Sequence, residues 1–399
     1  MGVERTIVIA GAGIGGLTAA LTLAGKGFRV ALLEKAERLK EVGAGLQISP
    51  NASHILAKLG LRSALDAVAL APEALSMLSA RTGDTLARLK FVAEAQPRDD
   101  YPYWVMHRAD LQAALAAQVR AHPAIELQLG RRFDEVSSCD DGVIVVDRSG
   151  FDRRQHTALA LIGADGIWSA VRQQLFPQAQ PRFSGLIAWR STIDAVRLPA
   201  ELISADVRVW LGENAHIVAY PISGGRRVNI VAIVAGSWNR PGWSAPGDPS
   251  EIMAQFAEPL WSASARQLIG SADGWRRWAL FTMADGGVWS QGSVGLLGDA
   301  AHGMLPFAAQ GAGMAIEDAA VLASCFDGVA DAQAAVQALQ RYAELRRPRV
   351  RRVQLTARHN GQIYHLRGPL ALARDTIMRL LGQRLMARQR WIYDWRSED

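Results

Sequence analysis

A chain of 399 residues, 49% apolar and 21% charged, has the composition of an ordinary globular protein and the length for two or three domains. Its formal charge of +6 favours anionic substrates and cofactors, but the basic residues are scattered and form no nucleic-acid motif, so nucleic acid is not expected as a partner. Two distant cysteines, Cys139 and Cys325, exclude a disulfide or metal framework. Without a run of ~18 apolar residues or a signal-peptide pattern, a cytoplasmic protein with no membrane segment is expected.

Residues 6–10, TIVIA, are an apolar run of strand composition. Gly11-Ala12-Gly13-Ile14-Gly15-Gly16 follows, then a helical stretch over 17–24 and a strand over 28–33 ending at Glu34. This is a βαβ dinucleotide unit. Gly11 permits the tight turn, Gly13 lets the backbone approach a pyrophosphate, and Gly16 lets helix and strand pack closely. The helix start, with Ile14 and Gly15, offers free N–H groups and a positive dipole to phosphates. Glu34 can accept from ribose hydroxyls and would repel a 2′-phosphate, which favours FAD or NAD over NADP.

Residues 41–51, EVGAGLQISPN, read as a flexible segment entering a helix over 52–59, with Pro50 and Asn51 as start residues. The stretch 72–103 lacks periodicity and is expected to give strands of another layer. A helix is predicted over 104–120, with Arg108 near its start. Residues 125–163 alternate like a β-meander and end on Asp165-Gly166, a tight-turn pair, before a helix from Ser169. Residues 182–283 change character: they are rich in Trp and Arg and read as an antiparallel sheet, a Pro/Gly loop over 241–249 and a helix over 250–268.

The second glycine-rich segment lies far downstream. A strand over 292–297 leads to Gly298-Asp299, then Pro306, then Gln310-Gly311-Ala312-Gly313 opening a helix over 311–326. Asp299 can hydrogen-bond a ribityl hydroxyl. The helix start would aim N–H groups and dipole at the flavin N1–C2=O edge, which becomes negative on reduction. Gly311 and Gly313 remove side chains where the ring must lie close, and Pro306 can hold its loop rigidly against the ring. A simple nicotinamide domain needs no such second segment. The pair therefore points to FAD, held by both ends of the chain. Helical patterns continue to the C-terminus. Pro348 is expected to break them, and Arg346, Arg347, Arg349, Arg351 and Arg352 read as a solvated or salt-bridged face.

GAGIGGL, EVGAGLQISPN, HRADL, LIGADGIWSAVR, GLLGDAAHGMLPFAAQGAGMAIEDA, NGQIYHL and WIYDW together resemble the single-component FAD-dependent aromatic hydroxylases, of the salicylate hydroxylase-like and 6-hydroxynicotinate 3-monooxygenase-like types. The likeness spans almost the whole chain. It implies an α/β fold with a Rossmann-like FAD-binding domain of the glutathione reductase type, organised as in p-hydroxybenzoate hydroxylase, with an inserted antiparallel substrate domain and C-terminal helices. The expected division is 1–71, 104–181 and 284–355 for FAD, 72–103 and 182–283 for substrate, and 356–399 as a C-terminal helical segment. The C-terminal helices can bury a homodimer interface or cap the fold.

The resemblance also implies chemistry. FAD stays bound, while NADH or NADPH visits without a second Rossmann domain, in keeping with the single GxGxxG. Reduced flavin and O2 give a C4a-hydroperoxide that hydroxylates a small aromatic or N-heteroaromatic acid. FAD candidates are Gly11, Gly13, Ile14, Gly15, Gly16, Glu34, Lys35, Gly45, Gln47, Arg108, Asp165, Asp299, Pro306, Gly311, Ala312 and Gly313. Gln47 stands where some relatives carry a basic histidine, and Phe307 where some carry a polar residue. His216 and Tyr220, four apart on a strand, share a face and can line one pocket wall as base and orienting group. With Gln47 and Pro306 they are the catalytic candidates. Trp189, Arg190, Met304 and Phe307 are further substrate candidates, Arg190 for a carboxylate. An epoxidase, a reductase of a non-aromatic substrate and a flavin-binding protein without turnover stay open as alternatives.

Overall fold

In the computed structural model, which describes residues 5–39, 45–91, 101–238, 244–284 and 287–397, the first glycine motif lies at the centre of a six-stranded sheet. Its order is Ser290–Gln291, Val294–Leu296, Ala160–Gly163, Thr6–Ala10, Arg29–Glu34, Ile125–Leu129, and all neighbours are parallel except the first pair. Apolar runs such as TIVIA suit strands buried on both faces. The helices Ile14–Gly25 and Gly311–Cys325 pack against each other, so the two glycine segments, distant in sequence, open side by side. Gly15 makes this possible, since a Cβ there would lie 3.1 Å from Ala315 Cβ, while Gly16 lets the first helix close on its own turn, where a Cβ would run into the Gly11 carbonyl oxygen.

The second large sheet has eight strands: Ala245–Gly247, Trp275–Thr282, Arg182–Asp194, Arg227–Ala235, Ala215–Ile222, Val207–Gly212, Ala74–Ser79 and Thr85–Lys90. Its neighbours are antiparallel except Val207–Gly212 with Ala74–Ser79. One face, with Trp189, Trp210, Ile217 and Ile230, packs with Ile252, Phe256 and Leu268 of two short helices. The other, with Ala188, Val209, Ile222 and Ile233, packs with Phe307, Ala357 and Tyr364. A three-stranded sheet (Arg132–Cys139, Gly142–Ser149, Asp152–Ala158) and a two-stranded one (Gly45–Ile48, Trp104–His107) complete the strands among the described residues.

Three sequence expectations change. Trp104–His107 is strand, not helix, and pairs with Gly45–Ile48; the helix Arg108–Ala121 begins after it, with His107 Nδ1 capping the Ala109 N–H at 3.1 Å. The helix expected over 250–268 is two, Pro249–Gln255 and Ala263–Gly270, because Pro259 interrupts the turn and Ser262 starts a new cap. Pro348 breaks nothing; it lies inside the helix Ala332–Tyr364. Ion pairs from Arg346 and Arg349 to the Gly311 helix hold the backbone on both sides of it. Arg346 itself is buried and ion-paired, the salt-bridged of the two readings. Residues 41–44 and 241–243, parts of the segment before Gly45 and of the Pro/Gly loop, lie outside the described residues. Among the described residues no helix is long and apolar enough to cross a membrane.

Candidate active site

A cavity of about 880 Å³ is lined from both large sheets. Three sets of predicted residues meet there: Gly11, Gly13, Ile14, Gly15, Glu34 and Lys35 from the first motif; Asp299, Met304, Pro306, Gly311 and Ala312 from the second; and Gly45, Gln47, Arg108, Asp165, Arg190, His216 and Tyr220 from between them.

The first set is built for a dinucleotide. Gly11 has φ +104°, and a Cβ there would lie 2.5 Å from the Ala164 carbonyl oxygen. Gly13 ends the turn, and no side chain caps the helix behind it, so its first N–H groups are left for a ligand. The Glu34 carboxylate accepts from the N–H groups of Ala12 and Ala36, both at 2.9 Å, which fixes it beside the turn. Arg38, Arg132 and Arg148 line the same cavity and add positive charge.

The second motif presents another open helix start. Gln310 precedes the Gly311 helix without capping it; its amide instead donates to Ser49 Oγ at 2.8 Å and accepts from Asn51 Nδ2 at 3.0 Å. Gly313 serves this polar network, not the cavity: its absent Cβ would lie 2.9 Å from Gln310 Oε1. Asp299 follows Gly298, whose N–H donates to Asp318 Oδ2 at 3.1 Å. Across the cavity, Asp165 Oδ2 accepts from the N–H groups of Ala170 at 2.7 Å and Val171 at 3.3 Å, while its Oδ1 is buried with no partner. Burial pushes the Asp165 carboxyl above the usual range. Two uncapped helix starts, a glycine cradle and an unpartnered carboxylate oxygen on one elongated cavity fit a dinucleotide flavin.

The eight-stranded sheet supplies the remaining wall. Side chains alternate across a strand, so Arg190 faces the cavity and Trp189 faces away, under Gly247 and Arg277. Trp189 is therefore not a pocket residue. Phe307 also lies behind the wall, packed on Gly361 and 5.2 Å from the His216 ring. His216, Val218 and Tyr220 share the cavity face, as their spacing predicts. Gln47 accepts from Tyr103 Oη at 2.6 Å and lies beside the Tyr220 hydroxyl, between two tyrosines. Gly45 allows this: a Cβ there would lie 2.6 Å from the Tyr220 ring, and its N–H donates to Asn229 Oδ1 at 2.7 Å.

Burial pushes the Tyr220 hydroxyl well up, and it also lowers Arg190, with Arg108 adding repulsion. Among the described residues no carboxylate pairs with Arg190; its Nε is buried without a partner, and its guanidinium lies over Trp278 at 5.1 Å. Burial and the neighbouring His365 hold His216 well below the ordinary imidazole value, hence neutral at pH 7. His216 Nδ1 lies 2.8 Å from His365 Nε2. The sequence pointed to no role for His365, Tyr103 or Asn229. NGQIYHL was the one visible signal for the first; the others are core residues whose partners lie far along the chain. Among the described residues no cluster of His, Cys, Asp or Glu could hold a metal.

Comparison with known proteins agrees with this geometry. A family model described as FAD binding domain matches residues 4–357. The chain is 38% identical over 374 residues to a 3-amino-4-hydroxybenzoate 2-monooxygenase of Streptomyces platensis, covering 93% of this chain and 92% of the relative. It is 35% identical to 3-hydroxybenzoate 6-hydroxylase 1 of Aquipseudomonas alcaligenes, over 94% of this chain and 93% of the relative. Among solved structures, a salicylate hydroxylase substrate complex superposes with TM-score 0.81 at 25% identity, covering 98% of this chain and 96% of that one. HpxO of Klebsiella pneumoniae with FAD and uric acid superposes with TM-score 0.81 at 26% identity, covering 96% and 95%. With the family model spanning most of its length and both motifs meeting at one cavity, the chain belongs to the FAD-binding-domain family and is an FAD-dependent monooxygenase of the aromatic hydroxylase type.

Proposed function

We propose that the enzyme hydroxylates a small aromatic acid carrying a phenol, with Arg190 taking the carboxylate and His216 and Tyr220 facing the phenol. The observation that carries this reading is Arg190: a half-buried, cavity-facing guanidinium, its Nε sealed and unpartnered, with no carboxylate of the described protein beside it. A charge left so is costly unless a ligand completes it. The relatives named for hydroxybenzoates act on molecules with both groups.

In this reading the segments 1–71, 104–181 and 284–355 hold FAD, 72–103 and 182–283 form the substrate wall, and 356–399 caps it. Gly11, Gly13, Ile14 and Gly15 would take the pyrophosphate, Glu34 and Lys35 the adenosine end, with Arg108 and Asp165 between. Asp299 would take the ribityl chain; Pro306, Gly311 and Ala312 would take the flavin ring. Bound FAD, reduced by NADH or NADPH, supplies the reaction with O2. The rest falls to the protein. His216, neutral by burial, accepts the phenol proton at Nε2, which raises electron density on the ring. Tyr220, beside Gln47, orients the phenol oxygen. Val231, Ile233 and Leu305 form an apolar wall that keeps water from the reacting centre.

Replacing Asp299 by Ala is expected to weaken FAD retention by about ten- to a hundredfold, the value of one hydrogen bond to a charged group. Flavin absorbance per protein after gel filtration reads this directly, and a variant that stays fully yellow would remove Asp299 from the cofactor site. The substrate reading is tested by NADH and NADPH oxidation across hydroxybenzoates and hydroxynicotinates, each paired with its carboxamide, with product mass and H2O2 recorded. Stimulation by an acid, a product one oxygen heavier, and loss of both with the amide are expected. Equal turnover of acid and amide would overturn the role of the carboxylate.

A further inference from the structure

We infer that His365 is a positioning residue for the reaction and the exit for its proton: its ring receives from His216 the proton that the substrate phenol gives up. This rests on the reading of His216 as the proton acceptor.

The geometry starts at the strand Ala215–Ile222. His216 is 2% exposed, yet its ring lines the cavity. Its Nδ1 is occupied by His365 Nε2 at 2.8 Å, so Nε2 is the nitrogen left for a ligand. That Nε2 is not a sealed, orphaned atom, since it is absent from the buried unpartnered groups that include His302 Nδ1. His365 ends the helix Ala332–Tyr364 and is only half-buried. Among the described residues its Nδ1 has no partner, and it is not sealed either. Two imidazoles therefore connect the cavity to the outside of the molecule through one hydrogen bond.

The surroundings keep this path narrow. Phe307 and Tyr364 pack on the His216 ring with centroids 5.2 and 5.5 Å away. The Asn214 N–H donates to the His365 carbonyl at 3.4 Å, which ties the helix end to the strand turn. From the helix Gly368–Leu381, buried Arg374 donates to the Tyr364 carbonyl at 2.8 Å and pairs with Asp375. From the turn before Ala215, Glu213 accepts from the Gly368 N–H at 3.1 Å. Arg190 and Tyr220 line the same cavity as His216. Burial, with Arg374 adding repulsion, brings His365 down to about 4, so it too is neutral at pH 7. Neither ring stores a proton there; each can only pass one on.

The step balances without another reactant. The phenol O–H breaks and a His216 Nε2–H forms. The His216 Nδ1–H breaks and a His365 Nε2–H forms. The His365 Nδ1–H leaves to water. Both rings end as the other neutral tautomer, and the reverse transfer, in which water gives a proton to His365 Nδ1 and His216 Nε2 gives one to the product phenolate before it leaves, restores them.

The test uses holoenzyme variants His365→Gln and His365→Ala beside His216→Gln, with coupled hydroxylation measured from pH 6 to 9. A glutamine oxygen can still accept the His216 Nδ1–H but cannot relay. For His365→Gln, full FAD content, KM within about twofold and kcat lower by about tenfold at pH 7 are expected, a modest share of the effect of a general base. Activity should recover toward high pH, where the substrate arrives as phenolate, and imidazole in solution should restore His365→Ala. If His365→Gln has wild-type kcat at every pH while His216→Gln is impaired, the relay is overturned and the base stands. If both glutamine variants are unaffected, the base reading itself fails. If His365→Ala loses flavin or thermal stability while His365→Gln is normal, His365 is structural and the relay is overturned.

Discussion

Replacing Arg190 by Met is expected to lower kcat/KM for the aromatic acid by about thirty- to several-thousandfold, while FAD content and thermal stability hold or improve. The range follows from breaking a buried charge pair, about 2–5 kcal/mol. Stability should not suffer because, among the described residues, no carboxylate offsets this half-buried guanidinium in the free protein. Its Nε lacks a partner, burial drives its charge toward loss, and Arg108 repels it. Removing a charge so placed relieves a cost that the substrate otherwise relieves. Methionine keeps most of the apolar contact with Trp278. Lysine should recover little, since a point charge cannot reproduce a planar fork on a carboxylate. The same variant should no longer distinguish an acid from its carboxamide. Wild-type KM with the acid would place the carboxylate elsewhere, with Arg108 the next cavity-facing cation to replace.

Arg190 and Trp189 also show where reading a sequence stops. Both lie on one strand, and period-two alternation allows only one of them to face the cavity; which one depends on the register with the strands at Arg227 and Trp275. His216 and Tyr220 were legible as a pair because their relation is internal to one strand. The dinucleotide turn was legible for the same reason: Gly11, Gly13, Gly16 and Glu34 act within one local unit. Gly313 was misread because its neighbours, Gln310 and Asn51, meet only after folding. Phe307 follows a proline that lines the cavity but turns the opposite way, into Gly361. NGQIYHL marked the neighbourhood of His365 but not its role, since nothing in those residues refers to a histidine 149 positions earlier.

Pro348 and its arginines carry the other large effect. Replacing Arg346 by Met is expected to cost about 3–5 kcal/mol, the usual loss when one partner of a buried ion pair is removed. In a chain this long that is a fall in Tm of about 4–6 °C. Arg346 donates to Glu317 Oε2 and Asp318 Oδ1, both at 2.7 Å, and all three side chains are buried. Without it Glu317 keeps Arg349 at 2.6 Å and Asn51 at 2.6 Å, but Asp318 keeps only His302 at 2.5 Å and the Gly298 N–H. Burial pushes Asp318 up; His302 and Arg346 more than offset it and hold it below the ordinary range. With Arg346 gone, His302 is the one cation left against burial, the largest influence on this group, and the folded-state pKa is expected to rise above the unfolded one. A carboxyl raised in this way is tolerated while protonated and destabilises as pH rises. The Tm deficit of the variant should therefore be larger at pH 8 than at pH 5, and Asp318→Asn in the same chain should recover part of it. A deficit independent of pH would mean that Arg346 acts by packing alone, through its contact with Trp395 at 5.4 Å. The cofactor should register the change as well. Asp318 holds the N–H of Gly298, the residue before Asp299, so flavin should dissociate from the variant on warming before the chain unfolds.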